Sequence, residues 1–188
     1  GIALDFGVVT DVFMQHNCLQ QATSFLLDVL QGNKEDEGPL QTRLLEMNLM
    51  AAPQVADAIL GHEMFTHYDR ARIATMCEKA GLATRALEHY TNVDDIKRVL
   101  MRTDVIPADF IVKFFGTQPV EVAIECLNHM LRTNMRGNLQ TVVQVAREYS
   151  EQLTPEKLIE MFKSYNSWEG LFYYLGAVLT KTEDKEVH

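Results

Sequence analysis

GHEMFTH, residues 61–67, carries two histidines and a glutamate, the residue types with which helical metalloproteases bind zinc and activate water. That chemistry needs histidines at i and i+4, on one face of a helix. His62 and His67 are five apart and would diverge by about 140° on a helix of 3.6 residues per turn. Gly61 before them and the polar THYD after them place the stretch in a turn. The spacing therefore predicts no metal site, and Met64 with Phe65 are expected to pin an inter-helix loop. His16 and Cys18 lie close together, but no second ligand pair follows at metal spacing. Cys18, Cys77 and Cys126 are widely spaced and odd in number, which fits free thiols in a reducing compartment. Cys77 and Cys126 fall inside apolar stripes and read as small buried hydrophobes. No phosphate-binding glycine loop occurs, and no nucleophile motif surrounds Ser24, Ser150, Ser164 or Ser167. These residues predict no catalytic, cofactor or metal residue and no cofactor.

The elements that hold these side chains repeat one pattern. Ile73, Met76, Cys77 and Ala80 stand at i, i+3, i+4 and i+7, a single apolar stripe on a helix. Ala83, Ala86, Leu87 and Tyr90 repeat it, with Arg85 and Glu88 on the other side. Thr91, three residues before Asp94, reads as a capping-box variant opening a third helix with Ile96, Val99 and Leu100. The same spacing returns at Ala22, Phe25, Leu26, Val29; at Ala123, Cys126, Leu127, Met130; and at Leu139, Val142, Val143, Ala146. Leu158, Met161, Phe162, Tyr165 and Leu171, Tyr174, Leu175, Val178 follow near the end. Period-two alternation is nowhere sustained, so no strand is predicted. Phe172, Tyr173 and Tyr174 are consecutive, which places bulk on several sides of one helix and predicts burial between two neighbours.

Boundary residues fall between the stripes. Pro53 and Pro107 read as first-turn prolines, and Thr154 before Pro155 reads as an N-cap with proline at N1. Gly32, Gly61, Gly81 and Gly116 follow apolar stretches and read as C-caps. The inter-helix core is expected to contain Ile73, Met76, Cys77, Ala86, Leu87, Tyr90, Leu158, Phe162, Leu171 and Leu175. About twelve short helices, or about six hairpins of roughly 30 residues, match the period of stacked helical repeats. The reading is an all-α, single continuous α-solenoid over 1–188, in which each hairpin buries its stripe against its neighbours. A formal charge of −9, without clustered Lys or Arg, excludes nucleic acid as a partner. No uncharged run approaches the roughly 20 residues that cross a bilayer, so no membrane insertion is expected. The start lacks an initiating Met and a basic leader, and its apolar segment begins at Ile2, which suggests a piece of a longer protein.

GPLQTRLLEMNLMAAPQVADAILG, residues 38–61, and MFTHYDRARIATMCEKAGLATRALEHY, residues 64–90, closely resemble the clathrin heavy chain in the distal part of its leg. The likeness is long and specific here, weakens across about 99–150 and revives at EGLFYYLG, residues 169–176. It implies a leg segment of stacked helical hairpins within a three-legged assembly that interweaves into polyhedral vesicle coats, without catalysis. It further implies other heavy-chain legs as partners, an adaptor or accessory protein as a candidate partner, and residence at the cytoplasmic face of coated pits and vesicles. The trimerising, light-chain-binding and adaptor-binding parts of the family have no counterpart here, so the isolated chain is expected to be monomeric. A peptide-binding solenoid adaptor or tether is the alternative. It would need Asn, Lys or Arg recurring at equivalent groove positions, and no such recurrence is found.

Overall fold

The structure, a computed structural model, describes residues 4–102 and 104–187, with side chains to 183. Ile2 lies outside the described residues. Twelve α-helices and no strand occur among the described residues, and the chain divides into two units, residues 1–90 and 91–188.

In the first unit, α1 (Phe6–Gln15), α2 (Leu19–Val29), α3 (Gly38–Ala51), α4 (Pro53–Gly61), α5 (Arg70–Lys79) and α6 (Ala83–His89) pair as three successive hairpins, with a 3₁₀ turn at Glu35–Glu37 leading into α3. Helix α3 also packs on α2 and α5 and so joins the hairpins. The apolar stripes meet in one core that includes Ala22, Leu26, Leu44, Leu45, Ala56, Ile73, Cys77 and Ala86, all without solvent exposure. Each fully buried leucine contributes about 1.5–3 kcal/mol relative to exposure.

Side chains set the helix starts. Asp5 accepts from the Gly7 and Val8 amides at 2.9 and 3.3 Å and opens α1, and Asp69 accepts from the Arg72 amide at 3.1 Å and opens α5. Pro53 stands at the first position of α4, where its missing N–H leaves no bond unmade.

The turns differ from the sequence expectation in an instructive way. Of the four glycines taken as C-caps, Gly81 alone has a positive φ, +84°. After Gly32 the left-handed residue is Asn33, at φ 47°; after Gly61, the last residue of α4, it is Glu63, at φ 52°. Asparagine tolerates this conformation because its short side chain can bond locally. One turn recurs at Asn17, Gly81 and Asn166. At each, the following amide donates to a carbonyl five residues back: Cys18 to Phe13 at 2.8 Å, Leu82 to Cys77 at 2.9 Å, Ser167 to Phe162 at 2.8 Å. This is the Schellman closure, and it reverses the chain in the fewest residues.

The second unit is built around α9 (Val120–Glu148), against which α7 (Val93–Leu100), α8 (Ala108–Phe115), α10 (Ser150–Leu153), α11 (Pro155–Ser164) and α12 (Trp168–Val187) pack. Asn92, not Thr91, caps α7, accepting from the Asp94 amide at 2.8 Å. Asp94 and Asp95 then lie in the first turn and Lys97 and Arg98 in the last, each sign complementing the helix dipole. Pro107 precedes α8 rather than lying in its first turn. Gly116 ends α8 in a right-handed conformation, φ −66° and ψ −18°, so it is no left-handed cap. Its lack of a side chain has another cause: a Cβ there would come within 2.7 Å of the Tyr149 hydroxyl and 2.8 Å of its ring.

The stripes at 123–130 and 139–146, read as two short helices, form the single long element α9, bent at Asn134, where φ is −155° and ψ 80°. Asn134 Oδ1 accepts from the Gly137 amide at 3.0 Å and restarts the helix, while buried Asn138 donates to the Met130 carbonyl at 2.9 Å across the bend. Thr154 occupies the N-cap position of α11, but its φ of 70° leaves the hydroxyl without a capping bond; Pro155 follows at N1. The short α10 ends at Leu153, and the chain must reverse at Thr154 to start α11.

Candidate functional site

The residues that sequence first offers for chemistry lie in the loop 62–69 between α4 and α5. His62 directly follows α4 as its C-cap, and His67 sits farther along, both exposed. No group of three or more His, Cys, Asp or Glu that could hold a metal occurs among the described residues. The loop instead serves as a strap across three helices. Asn33, from the turn after α2, accepts from the Thr66 amide at 3.1 Å and donates to the Thr66 hydroxyl at 3.0 Å. Fully buried Gln41 of α3 donates to Asn33 at 2.8 Å and accepts from the His67 amide at 2.9 Å. Thr42 Oγ1 accepts from the Asp69 amide at 2.9 Å. Phe65 and Tyr68 are the side chains that pin the loop, both buried; Met64, expected to share that role, is exposed.

At its far end the strap is tied to α6. The Tyr68 hydroxyl and His89 Nε2 lie 2.6 Å apart, and His89 Nδ1 lies 2.7 Å from the Arg85 carbonyl. A carbonyl only accepts, so Nδ1 carries the proton and Nε2 accepts from the phenol. Burial lowers the His89 pKa and raises that of Tyr68, which keeps both groups neutral and suits this bond. Arg85 itself joins α6 to α4, with Nε 2.7 Å from Asp57 and Nη1 3.1 Å from Glu88. Arg43 pairs with Asp11 and Arg72 with Glu46, further ties between helices of this unit.

The expected core residues sit as follows. Ile73, Cys77, Ala86, Leu87, Leu158 and Phe162 are at most 1% exposed, whereas Met76, Tyr90, Leu171 and Leu175 are half-buried. Tyr90 places its ring on the core and donates its hydroxyl to Glu78 at 2.6 Å. Burial pushes the thiol pKa of Cys77 up to about 12 and of Cys126 up to about 11, so both are protonated and unreactive at neutral pH.

The aromatic run of α12 splits by side. Tyr174 is fully buried, its ring 5.9 Å from that of Phe162 and its hydroxyl 2.6 Å from Ser150 Oγ. Phe172 and Tyr173 are exposed, against the expectation of burial all round, because α9 and α11 cover only one side of α12. A groove of about 900 Å³ runs between α12 and the second half of α9, with Leu139, Val143 and Tyr173 along it and Arg136, Arg147 and Lys181 beside them.

Sequence reading missed Asn33, Gln41, His89 and Asn134. Asn33 had a local signal, an asparagine directly after Gly32 where a left-handed residue is needed. Gln41 and His89 had none, since their partners lie 26 and 21 residues away.

Residues 3–139 match the family model described as "Region in Clathrin and VPS". The chain is 56% identical over 184 residues to the clathrin heavy chain of Drosophila melanogaster, 98% of this chain and 11% of that protein. It is 55% identical over 180 residues to clathrin heavy chain 2 of Homo sapiens, 96% of this chain and 11% of that one. Against clathrin heavy chain 2 of Oryza sativa subsp. japonica the identity is 51% over 188 residues, the whole of this chain and again 11% of the relative. The chain thus spans 11% of the length of these curated relatives. Helical hairpins closed by one recurring turn, a match over most of the chain and an identity above one half place this protein in the clathrin and VPS repeat family.

Proposed function

We propose that this chain is a leg segment of a vesicle-coat scaffold, one stretch of a longer heavy chain that self-assembles into a polyhedral lattice for membrane traffic and endocytosis. The observation that carries the reading is the 51–56% identity to proteins named clathrin heavy chains, spread over 96–100% of the chain in an insect, a human and a plant relative. Such spread suits a protein whose work is done by its whole packed length. In this reading the chain is no enzyme, its hairpins run on as one continuous solenoid, and its partners are other heavy-chain legs. An adaptor or accessory protein is a further partner, met at the cytoplasmic face of coated pits and vesicles. No helix among the described residues is long and apolar enough to cross a membrane, which agrees with a coat that lies on the bilayer.

The physical support is the balance of the molecule. Its polar networks tie helix to helix, and its buried thiols are held protonated. A scaffold needs stiffness of this kind, because a coat multiplies many weak contacts only if the segments between them hold their geometry. Electron microscopy of the parent full-length protein tests the reading. Three-legged particles that close into polyhedral cages are expected, and compact or unbranched particles under assembly conditions would overturn it.

A further inference from the structure

We propose that Tyr68 and His89 form a proton-sensitive latch, which holds the strap of residues 62–69 against α6 when the imidazole is neutral and releases it when the ring is protonated. The geometry makes the second proton displace the bond that closes the latch, because it occupies the only acceptor the Tyr68 hydroxyl uses. Nδ1 already donates to the Arg85 carbonyl, and Nε2 is the acceptor for the Tyr68 hydroxyl at 2.6 Å. With a proton on Nε2, the ring would donate to the Tyr68 oxygen, and the phenolic hydrogen would have to turn away into a buried space. The same oxygen lies 3.4 Å from Arg70 Nη1, whose guanidinium also covers the Tyr68 ring.

The charged surroundings oppose the imidazolium. Arg70, at the start of α5, and Arg85, on α6, both face the ring. Glu88 is the carboxylate facing it, and it is already paired with Arg85, as is Asp57 of α4. Cys77 of α5 faces the Tyr68 end and remains a neutral thiol, so it offers no compensating charge. Because burial lowers the folded-state pKa of His89, the latch is fully closed above the ordinary histidine range. It is lost as pH falls from there through the lowered value. The strap's other attachments, Asn33, Gln41 and Thr42, contain no titrating group, so the Thr66, His67 and Asp69 amides that they hold become exposed with falling pH only when loss of the latch lets the strap open as a unit, while the α5–α6 hairpin keeps its apolar core.

Hydrogen–deuterium exchange of the 188-residue chain tests this, read on peptides covering 62–69 and on α3 and α5, each normalised to the intrinsic exchange rate at that pH. Protection of the strap is expected to fall by up to about tenfold between about pH 7.5 and about 5.5, the limit for one histidine, with α3 and α5 unchanged. In Tyr68→Phe, which keeps the ring and removes the hydroxyl, strap protection is expected to be low already at the upper pH and to fall no further. A double variant His62→Gln and His67→Gln removes the strap's own histidines and is expected to retain the fall. Constant protection in the unaltered chain, a fall that persists in Tyr68→Phe, or a fall abolished in the double variant would each overturn the latch.

Discussion

Gly81 and Gly116 show that the same residue type meets two different demands. Gly81 has φ +84° and nothing within 4 Å of where a Cβ would stand, so any cost of replacing it is conformational rather than steric. Gly81→Val is expected to lose about 1 kcal/mol or more, since a β-branched residue is a poor fit at positive φ. The midpoint of a chemical melt reads it, and an unchanged midpoint refutes the left-handed assignment. Gly116 has the opposite profile, an ordinary right-handed backbone against a crowded Tyr149. Gly116→Ala is expected to cost stability in the same melt, and Tyr149→Ala in the same chain to recover part of the loss by opening the space. Equal losses with and without the tyrosine would show that the ring is not what excludes a side chain.

Within an element, the apolar face and the polar face should differ sharply in what they contribute. Leu87 on α6 is 1% exposed, so Leu87→Ala is expected to cost roughly 2–5 kcal/mol through lost burial and a residual cavity. Glu88, its neighbour on the exposed side, reaches only Arg85, at 3.1 Å, and Glu88→Ala is expected to change stability by about 0.5 kcal/mol or less. Similar losses in the two melts would reverse the face assignment. This face was legible in the sequence because helical periodicity is a local property: Ala83, Ala86 and Leu87 share a stripe whatever they pack on. The turns were half legible. A positive φ is signalled by asparagine as well as glycine, so a reading tuned to glycine settled on Gly32 and passed over Asn33. Asn134 hid its bend for a related reason, since a side chain that restarts the helix three residues on leaves the apolar period almost unbroken. The strap lay beyond reach altogether. Its bonds join residues 21 to 33 apart, and no periodicity encodes which loop a buried glutamine such as Gln41 will meet.

For the whole molecule, the proposed continuous solenoid and a single compact globule of the same chain length differ in extent. A compact 188-residue chain should have a radius of gyration near ~16 Å by chain-length scaling. The stack of about six hairpins expected from the sequence, at about 10 Å per step, would instead make a rod roughly 60 Å long and about 25 Å across, with a radius of gyration near ~20 Å. Small-angle scattering over a concentration series distinguishes them, and the larger value is expected. The same series reports association. Leg contacts in a coat gain strength by being many, so one segment alone is expected to stay monomeric at micromolar concentration. The apolar surface on α12, with Trp168 and Phe172 exposed, makes this a demanding test. Aromatic residues at that exposure drive self-association when they form a contiguous patch, and the groove beside them carries charges of both signs, Arg136, Arg147 and Lys181 with Glu148 and Glu169, so its charges by themselves do not keep two copies apart. A monomer near ~20 Å would support a segment that acts through many weak contacts along its length; a monomer near ~16 Å would refute the continuous solenoid, and a stable dimer or trimer would overturn the expectation that one segment alone does not associate.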